Sequence, residues 1–256
     1  MRSHSQLIQQ QFDPQARAYL SSAVHAAGPD LRAARERALQ CLEPQGQVLD
    51  VGCGAGHLSF ALAPVAARVV ALDPSPGMLA VVREGATGRS LPQIETCEGS
   101  AHELPFTDGS FDLVCTRYSA HHWLDVPRAM RQLRRVVKPD GFVLVIDLLG
   151  DADPLVDTYL QSIELLRDTS HVRDRSIIEW QVLLQQSGFN RIEHSTWSTR
   201  LEFTAWVQRM RTPAPMVSAI RLLQTSAPVE VQRALCIEAD GSFTPQTGLF
   251  WGRPAG

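Results

Sequence analysis

The chain has 256 residues, 44% of them hydrophobic and 20% charged, and its formal net charge is −3. This composition is typical of a folded globular protein, and the mild acidity excludes attraction of the whole surface to nucleic acid or anionic lipid. At roughly 100–200 residues per domain, the length allows one large domain or two small ones.

The cysteines are scattered, without a CxxC pair or a cysteine–histidine spacing, at Cys41, Cys53, Cys97, Cys115 and Cys236. This usage favours neither disulfides nor zinc and fits a reducing compartment. No apolar run approaches the roughly 18–20 residues of a membrane helix, and the N-terminal segment lacks the pattern of a signal peptide. We therefore expect a cytoplasmic protein without a membrane span or a bound metal.

The first half of the chain alternates between helical patterns and short apolar runs. Residues 14–43 are predicted as helix with a break at Gly28-Pro29, with Pro14 at a first helical position and Asp30 capping the second piece. Strands are predicted at 47–51, 68–72, 93–97, 111–116 and 142–147, and helices at 57–64, 75–86 and 126–137. Continuous apolar strands that alternate with helices indicate a parallel sheet covered on both faces.

After Gly150 the pattern becomes mostly helical. Helices are predicted at 153–167 and 176–187, a strand at 191–197, and further helical stretches to about 238, interrupted by a proline-marked break at 213–215. Residues 247–253, TGLFWGR, are predicted as an edge strand. Because no linker, repeat or low-complexity tract separates the two halves, we expect the second half to continue the same sheet around a helical insertion.

A glycine-rich turn follows the first predicted strand, where residues 50–56 read Asp-Val-Gly-Cys-Gly-Ala-Gly. Glycines let a ligand touch bare backbone, and the free N–H groups of the next helix attract a carboxylate or phosphate. A dinucleotide fingerprint would read GxGxxG, whereas the third glycine here arrives one residue early. This spacing favours a methionine-type ligand over a pyrophosphate; the alternative is a glycine turn without a ligand.

Asp73 ends the second predicted strand, about 20 residues after the glycine turn. A carboxylate at this point can accept hydrogen bonds from both hydroxyls of a ribose. Because Pro74 and Ser75 follow, the alternative is that Asp73 only caps the next helix.

Four segments resemble, in order and spacing, the class I S-adenosylmethionine-dependent methyltransferases of the UbiE-like group (methyltransferase type 11). They are VLDVGCGAGHLSFAL, VVALDPSPGML, GSAHELPFTDGSFDLVCTRYSAHHWLD and LRRVVKPDGFVLVID, and they cover about residues 47–148. RYSAHHW, LRDTSHVR and WVQRMRTP extend the resemblance over nearly the whole chain, most closely to bacterial YafE-type methyltransferases.

The resemblance implies an α/β fold that is Rossmann-like and doubly wound, with a mostly parallel seven-stranded sheet, an antiparallel final strand and a helical lid insertion. It predicts one methyltransferase domain over 1–256, with N-terminal helices in 1–45, a cofactor-binding half in 46–150, and sheet completion with the lid in 151–256. The expected assembly is a monomer or a homodimer.

The resemblance also implies cofactor contacts at matching positions. Asp50, Gly52, Gly54 and Gly56 would line the methionine end of S-adenosylmethionine, Asp73 would hold the ribose, Pro74 and Met78 would flank the adenine, and Ser100 and Ala101 would meet the adenine edge. From its position just after strand four, Arg117 is also expected to contact the cofactor. Relatives commonly have an acid in place of Ser100, but a hydroxyl can still accept from the adenine amine. Asp140-Gly141 replaces the usual Gly-Gly in a turn before strand five.

Methyl transfer from a sulfonium is an in-line displacement, so the protein mainly orients the acceptor and excludes water. The segment after strand four should face the cleft, because ligands of open α/β sheets bind beyond the carboxyl ends of the strands. It carries His121 and His122, and a histidine of pKa near 6.5 can take a proton at neutral pH. A base is needed only if the acceptor loses a proton, and in that case we expect His122, or else His121, to take it; the alternative is that both only cap or pack the next helix.

The acceptor is expected to be a small, partly apolar molecule, because the chain has no nucleic-acid-binding motif and only one lysine, Lys138. Expected contacts are Tyr19, Tyr118, Trp123, His171, Arg173 and Arg209. The alternatives are a surface position for the charged residues and core packing for Tyr19. Two further functions stay open: a cofactor-binding protein that transfers nothing or catalyses a rearrangement, and a nicotinamide-dependent oxidoreductase, which the GxGxG spacing disfavours.

Overall fold

The computed structural model describes residues 3–13, 16 and 28–255. The strands are β1 (Gln47–Val51), β2 (Arg68–Asp73), β3 (Ile94–Glu98), β4 (Phe111–Arg117), β5 (Val137–Leu148), β6 (Phe189–Ser198) and β7 (Gln246–Pro254). The helices are α1 (His4–Phe12), α2 (Pro29–Cys41), α3 (His57–Leu62), α4 (Pro76–Gly88), α5 (Val126–Val136), α6 (Pro154–Arg167), α7 (Ile177–Gln186), α8 (Phe203–Arg209), α9 (Ala214–Ser226) and α10 (Val229–Ala234). The predictions for Pro14 and Tyr19 lie outside the described residues.

The strands form one sheet in the order β3-β2-β1-β4-β5-β7-β6. Strands β1 to β5 pair in parallel, and β7 pairs antiparallel with both β5 and β6. The predicted Rossmann-like, mostly parallel seven-stranded sheet with an antiparallel final strand is therefore confirmed. The chain leaves β1 first toward β2 and later returns to β4 on its other side, and such a reversal opens a crevice at the carboxyl ends of the strands.

The prediction of an edge position for residues 247–253 was wrong. β7 lies between β5 and β6, and its Phe250 and Trp251 are buried on opposite faces of the sheet. The edge on this side of the sheet is β6, whose side chains are mostly exposed, and β3 is the opposite edge. An apolar pattern on both faces is what an interior strand requires, so the composition of β7 is explained by its position.

Helices cover both faces of the sheet, as expected for a doubly wound fold. On one face α2 and α3 pack through Leu31, Ala34, Leu58 and Leu62, and on the other α5 and α7 pack through Met130, Leu133, Trp180 and Leu184. The strands between them are apolar in continuous runs because neither face meets water.

The predicted helical insertion has an apolar cluster of its own. Helices α6, α8, α9 and α10 pack around Leu160, Trp206, Ile220, Val231 and Phe243. Helix α6 therefore has one side in this cluster, and the residues at its C-terminal end reach the carboxyl edge of the sheet. Among the described residues, no helix is long and apolar enough to span a membrane.

Two local predictions were wrong. The N-cap of α2 is Gly28, and the Asp30 carboxylate instead accepts a hydrogen bond from Arg117. Asp140-Gly141 does not form a turn before strand five but lies inside β5, where the pairing with β4 shifts register.

Candidate active site

The glycine turn after β1 takes a left-handed path, with φ of 69° at Gly52, 51° at Gly54 and 85° at Gly56. A Cβ on Gly52 would lie 2.0 Å from Ser119 Oγ, whereas a Cβ on Gly54 would meet nothing within 4 Å. Gly56 is the N-cap of α3, and a Cβ there would lie 3.1 Å from the Phe60 ring. The turn therefore presents bare backbone to an open cleft at Gly54, while Gly56 allows helix packing.

Asp73 closes this turn from β2. Its two carboxylate oxygens accept the backbone N–H groups of Gly54 and Ser75, each at 2.9 Å. Helix α4 is capped by Ser75, whose hydroxyl accepts the N–H of Met78 at 3.0 Å, so Asp73 is not its cap. Burial raises the pKa of Asp73 to about 6. Asp73 lines the same cleft as Gly52 and Gly54.

Asp50 and Arg117 lie at the carboxyl ends of the neighbouring strands β1 and β4. Each side chain makes one hydrogen bond and keeps a second polar atom without a partner. Ser59 donates to Asp50 Oδ2 at 2.6 Å, and Arg117 Nε donates to Asp30 Oδ2 at 2.5 Å. Asp50 Oδ1 and Arg117 Nη2 are buried without a hydrogen-bond partner. Burial raises the pKa of Asp50 to about 6. Buried polar atoms are normally paired, so an unpaired acceptor and donor in one cleft indicate a ligand with both kinds of group.

We call the cleft around these residues the glycine-loop cavity. Of the predicted cofactor residues, Asp50, Gly52, Gly54, Asp73, Pro74, Met78, Ser100, Ala101 and Arg117 line it. Gly56 does not, for the packing reason given above. Helix α1 covers the cavity with His4, Ile8 and Phe12, and is held there by a hydrogen bond from Gln9 Nε2 to the Pro74 carbonyl at 2.8 Å.

A second cleft, the histidine cavity, adjoins the first. It is lined by Phe12, Tyr118, His121, His122, Leu148, Glu164, Arg167, Asp168, Thr199, Leu201, Trp206 and Arg209. Phe12, Tyr118 and His122 line both cavities. Tyr118 has a left-handed φ of 48°, a conformation that is sparsely populated outside glycine and that clusters at functional sites.

His121 is held as a cation. Its Nδ1 lies 2.6 Å from Asp147 Oδ1, and both side chains are largely buried. Burial alone lowers the pKa of His121, but the Asp147 carboxylate, with Asp174 and Glu164 farther away, raises it to about 9. A histidine that stays protonated at neutral pH cannot take a further proton, so this geometry disfavours His121 as a base.

His122 has the opposite electrostatics. Burial and the neighbouring His121 cation lower its pKa to about 4, against a smaller opposing effect of Asp168. Its ring packs edge-on against Phe12, with the ring centroids 5.1 Å apart. A neutral imidazole at the boundary of the two cavities is a group that can accept a proton from a bound molecule.

Three of the predicted acceptor residues do not reach the histidine cavity. His171 is buried with Nε2 2.9 Å from Gln161 Oε1, and Arg173 pairs with Glu179 and Asp157. Trp123 lines the glycine-loop cavity instead. Tyr118 and Arg209 are brought to the histidine cavity.

Sequence reasoning missed the acids and the arginine that α6 brings to this cavity. Glu164 is 4% exposed, and its Oε1 has no hydrogen-bond partner, while Arg167 Nη1 lies 3.7 Å from Oε2. Asp168, just after the helix, lies 4.0 Å from His122 Nε2 through Oδ2, and the Ser170 carbonyl oxygen lies 3.2 Å from His122 Nδ1. The LRDTSHVR segment gave a local signal, but the residues predicted from it were His171 and Arg173 and not Arg167, Asp168 or Ser170.

One group of metal-ligand type occurs in the described part of the chain. A nitrogen of His121 and carboxylate oxygens of Asp147 and Asp174 lie within 4.8 Å of one another. The Asp147 oxygens already accept from the His121 ring and from the backbone N–H groups of His121 and Leu148. These hydrogen bonds explain the position of Asp147 as the partner of His121, and no metal ion is needed to explain it.

Comparison with known proteins finds similarity to methyltransferases. The family model described as "Methyltransferase domain" matches residues 49–145. The chain is 44% identical to YafE of Escherichia coli K12 over 193 residues, which is 75% of this chain and 93% of that protein. It is 32% identical to the methyltransferase YcgJ of Bacillus subtilis over 234 residues, which is 91% of this chain and 92% of that protein.

Two further comparisons extend the match. The crystal structure of Bacillus subtilis YcgJ superimposes with a TM-score of 0.84 at 30% identity, covering 89% of this chain and 98% of that one. The demethylmenaquinone methyltransferase of Chlorobaculum parvum is 33% identical over 115 residues, which is 44% of this chain and 46% of that protein. The last match is confined to less than half of each protein, whereas the YcgJ match spans 91% of this chain.

Proposed function

Because the chain belongs to the class I S-adenosylmethionine-dependent methyltransferases, in the group of YafE and YcgJ, we propose that it methylates a small, partly apolar molecule bound in the histidine cavity. The observation that carries this proposal is the boundary shared by the two cavities, at Phe12, Tyr118 and His122. Because these three side chains line both cavities, molecules bound in the two clefts would be neighbours, which supports a group transfer between them.

The glycine-loop cavity fits the cofactor. Asp50 Oδ1 would accept from the ammonium of its amino-acid end, and Arg117 Nη2 would donate to the carboxylate, which pairs the two buried unpartnered atoms. Asp73 would accept from the ribose hydroxyls, and Pro74, Met78, Ser100 and Ala101 would enclose the adenine. S-adenosylmethionine supplies an activated methyl group on a sulfonium, and S-adenosylhomocysteine is the product.

The histidine cavity supports an acceptor of mixed character. Phe12, Tyr118, Leu201 and Trp206 provide apolar contact, and Glu164 provides a hydrogen-bond acceptor. Enclosure between these walls excludes water, and orientation by several side chains is the main contribution that a methyltransferase makes to its reaction.

His122 would take the proton from an acceptor that loses one. It is neutral at physiological pH and lies at the cavity boundary, whereas His121 is kept protonated by Asp147. The free cysteines are consistent with a reaction in a reducing compartment such as the cytoplasm.

The test uses S-adenosylmethionine carrying a deuterated methyl group. Purified protein is incubated with it and with fractionated small-molecule extracts, with hydroquinones included as defined probes because one relative is named for a quinone. Mass spectrometry should detect a metabolite of unchanged skeleton that gains one deuterated methyl group, in wild type and far more slowly in His122→Gln. Binding of S-adenosylhomocysteine without transfer to any fraction would favour a cofactor-binding protein that transfers nothing.

A further inference from the structure

The hydrogen bonds around His122 Nδ1 come from one short segment after α6. Nδ1 lies 3.2 Å from the Ser170 carbonyl oxygen and 3.2 Å from Ser170 Oγ. Ser170 Oγ in turn lies 2.6 Å from Asp168 Oδ1, and the backbone N–H of Ser170 donates to the same Asp168 oxygen at 2.9 Å. Asp168 and Ser170 are 2% and 0% exposed, so water does not compete for these bonds.

The donor and the acceptor of each hydrogen bond follow from the chemistry of the atoms involved. A carboxylate only accepts, so the single hydroxyl proton of Ser170 goes to Asp168. The hydroxyl then has only lone pairs to offer to His122, and the Ser170 carbonyl also only accepts. Both partners of Nδ1 are therefore acceptors, and the proton of the neutral ring must be on Nδ1.

The other ring nitrogen is left as the basic one. Nε2 lies 4.0 Å from Asp168 Oδ2, which is too long for a hydrogen bond, so its lone pair is not consumed. Once Nε2 is protonated, the same carboxylate is near enough to stabilise the imidazolium. This is the arrangement of a base that is oriented by a third group through an intervening hydroxyl.

We propose that Asp168 and Ser170 are positioning residues that fix His122 as its Nδ1–H tautomer and so keep Nε2 as the base of the reaction. This inference rests on the proposed function for its catalytic meaning, but the tautomer itself can be measured without an acceptor. His4 on α1 lies with Nε2 3.0 Å from the same Ser170 carbonyl oxygen. The helix that covers the glycine-loop cavity and the side chain of His122 therefore contact the same carbonyl group.

The experiment is a two-bond ¹H–¹⁵N correlation spectrum of the full chain, labelled with ¹⁵N-histidine and saturated with S-adenosylhomocysteine at pH 7. The His122 signals are identified by their loss in His122→Gln. Wild type should show a protonated Nδ1 and an unprotonated Nε2. Asp168→Asn and Ser170→Ala should move the equilibrium toward the Nε2–H form, and Ser170→Thr, which keeps the hydroxyl, should restore the wild-type pattern.

Turnover provides the second readout. Asp168→Asn and Ser170→Ala should lower kcat roughly ten- to hundredfold with cofactor affinity unchanged, because a misplaced base costs rate and not binding. Ser162→Ala is the matched control, since that hydroxyl bonds the Thr158 carbonyl on the exposed side of α6 and should leave spectrum and rate unchanged.

Two outcomes would overturn the inference separately from the proposed function. An Nε2–H tautomer in wild type contradicts the positioning role even if the protein methylates an acceptor. A wild-type pattern that survives in folded Asp168→Asn and Ser170→Ala shows that the carbonyl alone sets the tautomer, and contradicts the role of both side chains. Full turnover in His122→Gln, by contrast, would overturn the proposed base and leave the measured tautomer standing.

Discussion

The glycine-loop cavity and the histidine cavity adjoin each other, but their walls are made differently. The first includes the backbone of a left-handed turn and the ends of strands, with Asp73 bonded only to main-chain N–H groups. The second is built from side chains of segments far apart in the chain, and two adjacent histidines in it have pKa values shifted in opposite directions. Rigid backbone suits a ligand that is always the same, whereas a side-chain lining can differ between relatives that share a cofactor and not an acceptor.

The largest expected effect is on the folding of the sheet, because both cavities lie against it. β7 lies between β5 and β6, and Tyr118 OH lies 3.2 Å from Thr247 Oγ1 on β7. Deleting residues 245–256 should therefore unfold the whole chain, in keeping with the proposal that 1–256 is one domain. The check is thermal unfolding by circular dichroism. A truncated protein with a cooperative melt and native affinity for S-adenosylhomocysteine would contradict the single-domain proposal.

His122→Ala should lower turnover and leave cofactor affinity unchanged. Loss of general-base assistance typically costs ~10²–10⁴-fold in rate, so turnover on an acceptor that loses a proton should fall by about that factor. Affinity for S-adenosylhomocysteine should stay close to wild type, because the polar contacts proposed for it come from Asp50, Asp73 and Arg117 and not from His122. The measurements are steady-state kinetics and calorimetry on the same preparation. A large loss of cofactor affinity would indicate that His122 is a packing residue.

His121→Ala should lower the free energy of unfolding. Removing one partner of a buried ion pair costs about 3–5 kcal/mol, because Asp147 is left buried and uncompensated. The pKa of His121 is raised to about 9 in the folded protein, so its stabilising effect is complete below the ordinary value near 6.5 and is lost as pH rises through 9. Urea unfolding at pH 6 and pH 10 measures this. The difference between wild type and variant should shrink at the higher pH, and exposed His194→Gln should show no such difference.

Asp73→Ala should weaken binding of S-adenosylhomocysteine by roughly 1–3 kcal/mol, the cost of leaving buried hydroxyls unpaired. Wild-type affinity should also decline as pH falls through about 6, where the Asp73 and Asp50 carboxylates take up protons and accept fewer hydrogen bonds. Calorimetry from pH 5 to pH 8 checks both, and the pH dependence should be flatter in Asp73→Asn. Unchanged affinity in Asp73→Ala would remove it from the ribose contact.

The two cavities also differ in how far the sequence predicts them. Asp50, Gly52, Gly54 and Asp73 were predictable because a strand, a tight turn and a helix fix their relative positions within a short stretch of chain. The topology was predictable for the same reason, since apolar strands alternate with helices. The exception is β7, because the last strand of the chain inserts between β5 and β6, and a pairing between strands so far apart in the sequence leaves no local signal.

The histidine cavity could be predicted only in part. Its base candidates follow β4 directly, but Glu164 and Asp168 come from a helix in which no local pattern distinguishes a buried acid from a surface one. The partner of Arg117, Asp30, is 87 residues away, and only the packed structure brings the two together. His171 and Arg173 were expected at the cavity because their loop is polar, yet their partners Gln161, Asp157 and Glu179 hold them elsewhere.

The most direct test of the division between the cavities is a crystal structure of the wild-type chain with S-adenosylhomocysteine. We predict the ammonium of the ligand within hydrogen-bond distance of Asp50 Oδ1, its carboxylate on Arg117 Nη2, its ribose on Asp73, and an empty path from its sulfur toward His122 and Tyr118. A ligand whose amino-acid end lies away from Asp50 and Arg117, or whose sulfur is walled off from the histidine cavity, would contradict this prediction.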